Sequence, residues 1–164
     1  MRSSHRKDAA LIMIFLCYLA AGSAVRFGKN KLLADFHGKP LFRYGLSLLT
    51  EIVRERKDCR LLVISRYSEI LKAAEECGAE AIFCPESENG LSYTVRCAAA
   101  HCLPLTPSDR ILFMAADQPF ASEETVNRIL SAAPLLSETV LGTAPLAACA
   151  AYGEEEGNPV MFSA

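Results

Sequence analysis

The chain is short of net charge, of metal-ligand spacing and of repeats, and each shortage removes a class of function. With 17 Lys and Arg against 19 Asp and Glu in 164 residues, the formal net charge is -2. The overall balance therefore offers no attraction for nucleic acid, and any positive charge with a role must be local. No internal repeat, low-complexity tract or linker breaks the sequence. Its length suits one domain, large enough to bury about 70% of its unfolded surface in a single core. The seven cysteines (17, 59, 77, 84, 97, 102 and 149) are odd in number and contain no C-x-x-C pair, which points to reduced, mostly buried thiols in a cytoplasmic protein and away from a zinc site. His5, His37 and His101 have no metal spacing and read as surface or turn residues. The apolar run from Ala9 to Ala21 is too short to span a bilayer, so no membrane association is expected. With the basic start MRSSHRK and the small residues that follow, this run has the outline of a secretory signal peptide. A buried first strand of a parallel sheet gives the same continuous apolar run, and Asp8 interrupts the flank, so the strand is the preferred reading.

What the chain does have is a short, basic, glycine-containing connection, LAAGSAVRFGKNK from Leu19 to Lys31. Gly22 and Gly28 allow backbone conformations closed to residues with a Cβ, so that N–H groups converge on an anion while Arg26, Lys29 and Lys31 supply charge. A solvated basic surface loop is the alternative. Spacing excludes two familiar phosphate loops. A Walker loop needs four residues between its glycines and Ser or Thr after its lysine, whereas five lie between Gly22 and Gly28 and Asn30 follows Lys29. The dinucleotide fingerprint needs glycine where Ala24 stands. Cleavage of a signal peptide near Ala24 would destroy the loop, a second reason to read the preceding run as a strand.

Strand-like and helix-like stretches alternate along the rest of the chain. Leu41, Leu46, Leu48, Leu49, Ile52 and Val53 form an apolar stripe after Pro40, on a helix ending in the charged run Arg54 to Asp58. Residues 60–65 read as a buried strand, 67–77 as a helix stopped by Gly78, 79–84 as a strand, 91–102 as a helix and 110–116 as a strand that is apolar after Arg110; Ser122 then opens a helix toward Ala133. Residues 146–153 and 158–162, joined by an acidic turn, read as a strand and a second strand or turn at the edge of the same sheet. The alternation predicts a three-layer α/β/α sandwich with a mostly parallel sheet and ligands at the carboxyl ends of its strands. Asp117 stands at such an end, after a strand that contains no acid, where a carboxylate can bind Mg²⁺ on phosphates. The alternative for Asp117 is a turn aspartate before Pro119.

Four segments in order carry a resemblance. LAAG with Arg26, Gly28, Lys31 and the HGKPL of residues 37–41 is similar to the opening of the MobA-like nucleotidyltransferase family; ENGLSYTVRCA (88–98), AADQP (115–119) and GNPVMF (157–162) resemble its later motifs. The match is closest to the molybdenum cofactor cytidylyltransferase (MocA-like) branch and runs from about Met13 to the last residue, so that residues 1–12 stand as an N-terminal extension without a counterpart and 13–164 as the domain.

The resemblance implies a nucleotide-diphospho-sugar transferase (Rossmann-like) fold and Mg²⁺-dependent transfer of CMP from CTP to molybdopterin, with release of pyrophosphate. It implies that Leu19, Ala20, Ala21, Gly22, Ser23, Arg26, Lys31, Gly90, Ser92 and Thr94 bind the nucleotide. Arg26, Lys31 and Asp117 are catalytic, Asp117 holds the metal, and Asn158 faces the acceptor. Ser92 also suits the N-cap of the following helix. LAAG rather than LAGG favours CTP over GTP. The family's serine between Gly22 and Arg26 is Ala24 here, with Ser23 beside it to replace the hydroxyl, and relatives continue past the G-x-P segment through a G-D-x-G-[AS]-R stretch that contributes a second metal ligand. A truncated domain is therefore one expectation. The remaining alternatives are a guanylyltransferase, another cytidylyltransferase of the same fold, or a noncatalytic nucleotide- or cofactor-binding accessory protein for a molybdoenzyme.

Overall fold

A computed structural model describes residues 12–22, 30–137 and 147–164. Six strands form one sheet in the order β5-β4-β1-β6-β8-β7, where β1 is Ile14–Leu19, β4 Cys59–Ser65, β5 Glu80–Phe83, β6 Arg110–Ala115, β7 Ala147–Tyr152 and β8 Glu155–Ser163. The first four of these in sequence pair in parallel; β8 lies antiparallel to β6, and β7 antiparallel to β8. The mostly parallel sheet read from the sequence is thus present, and its antiparallel margin is the segment that resisted a clear reading. The apolar run with the outline of a leader supplies β1, whose six residues are all buried at the centre of the sheet.

Both faces of the sheet are covered, which explains why its strands read as unbroken apolar runs rather than alternating ones. Ile14, Leu16 and Tyr18 point to the face covered by α1 (Phe42–Glu55), α2 (Ser68–Glu76) and α4 (Glu123–Ser131). Phe15, Cys17 and Leu19 point to the other, covered by α3 (Leu91–His101). Local signals set the helix ends. Ser122 caps α4, its side chain accepting from the Thr125 amide, and Gly78 takes a φ of 82° just beyond α2. His37 and Gly38 both have positive φ (51° and 92°) and form the two-residue turn between β2 (Asp35–Phe36) and β3 (Lys39–Pro40). The helix predicted over 91–102 ends at His101, and its N-cap is Gly90 rather than Ser92, with no side-chain capping bond.

One close approach positions the floor of the ligand end. Gly45 in α1 faces the ring of Tyr18, and a Cβ there would lie 2.7 Å from Cε2 and from Oη. The Tyr18 hydroxyl donates to the Phe42 carbonyl at 2.7 Å, so the ring cannot swing aside. Glycine costs a helix about 1 kcal/mol relative to alanine. Gly45→Ala should nevertheless destabilise by about 2 kcal/mol, because overpacking outweighs that gain, lowering Tm by roughly 4–8 °C. An unchanged or raised Tm would show that α1 can withdraw from the sheet without cost.

Candidate active site

The chain enters β4 from one side of β1 and β6 from the other, and the crevice at the carboxyl ends of such diverging strands is where ligands bind in open α/β sheets. Backbone hydrogen bonds fix the residues that leave β1. The Ala116 amide donates to the Leu19 carbonyl at 3.1 Å, and the Ala20 amide to the Ile64 carbonyl at 2.8 Å. Ser65 at the end of β4 is fully buried; its hydroxyl donates to the Ala20 carbonyl at 2.8 Å and accepts from the Tyr67 amide at 3.1 Å. The Tyr67 hydroxyl in turn reaches the Gly22 carbonyl at 3.4 Å. Beneath, burial first and the nearby Asp117 charge second push the Tyr18 phenol well above its usual range. Tyr18 is therefore a neutral tie between β1 and α1.

Above this frame lies a cavity of about 480 Å³, within the size range of small-molecule sites. Leu19, Ala21 and Gly22 line it from β1, Ser87, Gly90, Leu91 and Thr94 from the α3 side, and Ala115 to Asp117 from the end of β6, with Lys31 and Leu32 completing it. Lys31 begins a short 3-10 helix, Lys31–Leu33, capped by Asn30, whose side chain accepts from the Leu32 amide. Its Nζ stands 3.9 Å from Asp117 Oδ2, with both side chains about half exposed (54% and 52%). An exposed pair at this distance contributes little to stability. Its groups remain available to ligands of opposite charge.

The structure thus brings Leu19, Ala21, Gly22, Lys31, Gly90, Thr94 and Asp117 to one cavity. Ala20 is buried behind the wall, held by Ile64 and Ser65. Ser92 is exposed on the first turn of α3 and is not among the lining residues. Asn158 lies on β8, where its Oδ1 accepts from the Ala115 amide at 3.2 Å and its carbonyl from the Tyr152 hydroxyl at 2.9 Å, so that it ties β8 to the end of β6. Ser23, Arg26, Gly28 and Lys29 lie outside the described residues. Gly22 does not occupy the left-handed region, and among the described residues a Cβ there would meet nothing within 4 Å. Its expected conformational role is therefore corrected: the φ of Gly22 is one that residues with a Cβ also adopt. Gly90 does need its glycine, having φ 124° where the chain turns into α3. Sequence reasoning missed Ser65 and Tyr67, although Ser65 closes the strand-like RLLVIS and Tyr67 follows two residues later, at the end that the ligand-end rule marks.

The donor set suits a Mg²⁺ ion that arrives on phosphates. Such an ion keeps several waters and takes one or two carboxylates plus substrate oxygens, and Asp117 supplies one half-exposed carboxylate at the cavity. Among the described residues no three His, Cys, Asp or Glu side chains form a candidate ligand group.

The model of the MobA-like NTP transferase domain matches residues 16–164. The chain belongs to the MobA-like NTP transferase family. Membership carries nucleotidyltransferase activity and a nucleoside triphosphate as substrate class. No curated protein matches the sequence. Among solved structures, the chain is similar to the crystal structure of Rv0371c from Mycobacterium tuberculosis H37Rv, with 22% identity, a TM-score of 0.69, and coverage of 93% of this chain and 72% of that one. At that identity the likeness establishes the fold, the Rossmann-like nucleotide-diphospho-sugar transferase type. Among the described residues no helix is long and apolar enough to cross a membrane.

Proposed function

We propose that this transferase joins CMP from CTP to the phosphate of molybdopterin, or of the molybdenum cofactor, and releases pyrophosphate. The observation that carries the reading is the meeting of Lys31 and Asp117 at a cavity whose β1 side is the LAAG segment. An acceptor phosphate oxygen bonds to the α-phosphorus, the bond from that phosphorus to the bridging oxygen breaks, and pyrophosphate leaves with the electron pair. The chain supplies no covalent nucleophile. Its task is to neutralise two anions and hold them in line.

Each residue then has a physical part. Arg26 grips two oxygens of the β and γ phosphates beside the Gly22–Ser23 backbone, as a planar guanidinium can. Lys31, a point charge, meets negative charge developing at the α-phosphate. Leu19 and Ala21 face the base, held in register by Ala20, whose amide and carbonyl are bonded to Ile64 and Ser65, while Gly90 and Thr94 serve base and ribose. Asn158 faces the acceptor from β8. Asp117 would hold Mg²⁺, which when bound supplies charge neutralisation and polarises the phosphoryl oxygens. The seven free cysteines accord with work in a reducing cytoplasm.

A narrow base site with fixed backbone donors and acceptors penalises a purine, because buried polar groups would be left unpaired. Assays of pyrophosphate release with molybdopterin or its molybdate form and each of the four nucleotides should therefore give CTP the largest kcat/KM. Faster release with GTP would reassign the base while leaving nucleotidyl transfer intact. CTP binding without turnover would make the chain an accessory nucleotide-binding protein for a molybdoenzyme.

A further inference from the structure

An aromatic cluster built on the segments that follow Lys31 and Asp117 has no part in the chemistry above. Phe36 is its hub, with ring centroids 4.6 Å from His37, 5.6 Å from Tyr44 and 5.8 Å from Phe120, all edge-to-face at 76–84°. The hub is anchored. Phe36 packs against the main core, and the Tyr44 hydroxyl donates to its carbonyl at 2.7 Å. Phe120 is the opposite case, 85% exposed. A single exposed ring is unremarkable, but this one is propped by another ring, and an edge-to-face contact covers only part of it.

The contact between Phe36 and Phe120 joins the two segments that carry the site's charges. Phe120 lies three residues after Asp117 and Phe36 five after Lys31, so the Phe120 Cα is within about 11 Å of that of Asp117. Lys39 adds a cation to the same cluster, its Nζ 4.0 Å from the centre of the Tyr44 ring. An open aromatic ring in a cluster that holds one cation, three residues from the carboxylate of the site, fits a ligand that is both planar and anionic.

We propose that Phe120, propped by Phe36 and Tyr44, is a stacking platform for a planar ring carried by the acceptor phosphate monoester. The proposal rests on the nucleotidyl-transfer reading, in which the acceptor phosphate must reach Lys31 and Asp117. The body attached to that phosphate then lies within reach of Phe120, while the nucleotide occupies the cavity. Stacking on Phe120 selects acceptors by ring area rather than by hydrogen-bond pattern, leaving discrimination among ring types to other contacts.

Calorimetry on the full chain with two phosphate monoesters, methylumbelliferyl phosphate and glycerol phosphate, tests the platform without relying on turnover. The wild type should bind the ring-bearing ester about tenfold or more tightly than the other, the size expected for one stacked ring. Phe120→Ala should bind both alike, and Phe120→Trp should keep the preference. The side chain is exposed, so Tm should not move. Equal affinities in the wild type, or a preference that survives in Phe120→Ala, would overturn the platform. So would a Phe120→Ala variant that changes only the sedimentation of the protein, since the ring would then serve contact between copies. Pyrophosphate release from CTP is read separately: its failure counts against the nucleotidyl-transfer reading, and loss of ring preference with intact release counts against the platform alone.

Discussion

Asp117→Ala should reduce turnover by about a thousandfold or more, because metal-borne neutralisation of transferring phosphates supplies several kcal/mol of transition-state stabilisation. The same substitution should weaken Mg-CTP binding while modestly strengthening metal-free CTP binding. The difference between those two affinities is the informative quantity. A carboxylate repels a bare triphosphate and attracts a metal-bound one, so removing it should bring the two affinities together. Asp117 is half exposed and pairs only loosely with Lys31 at 3.9 Å, hence little stability should be lost with it. Calorimetry with and without chelator, beside a thermal melt, checks each part. Equal Mg-CTP affinity in wild type and variant would return Asp117 to a turn aspartate before Pro119.

Much of this site was legible in the sequence because its positions obey strong local rules. An acid directly after the apolar residues 111–116 marks the point where a buried strand ends, and Asp117 stands there. Lys31 was legible as local charge against a nearly neutral background, and Gly90 as a break before a helical stretch. What escaped depended on contacts distant in sequence. Ser65 acts on Ala20, which lies 45 positions away, through one buried hydrogen bond, and a serine closing a strand reads locally as a turn residue. Asn158 was legible through its motif, but the bond that its side-chain oxygen accepts from the Ala115 amide, across 43 positions, was not. The antiparallel margin was obscure for a different reason. Ala147 to Tyr152 is small and partly exposed, so neither period nor burial marks its direction. Ser92 was read as suiting a cap because serine favours that position, but Gly90, with φ 124°, is the N-cap and starts the helix two residues too early for Ser92 to cap it.

Lys31→Ala should lower kcat by on the order of a hundredfold or more, with a much smaller effect on nucleotide affinity. The asymmetry follows from where the charge stands. In the resting protein its ammonium lies 3.9 Å from a carboxylate and is half exposed, so most of its charge is already answered by water and Asp117, and ground-state nucleotide gains little from it. As the acceptor oxygen approaches, negative charge accumulates at the α-phosphate and the bound substrates exclude water. The same cation then acts in a lower dielectric on a larger charge. Lys31→Arg should recover only part of the rate, since a guanidinium spreads its charge over a plane and requires a different approach. Single-turnover kinetics separate the chemical step from binding and release. A wild-type kcat in Lys31→Ala, or a loss confined to nucleotide affinity, would make Lys31 a solvated cation at the cavity edge and leave neutralisation of the α-phosphate to Arg26.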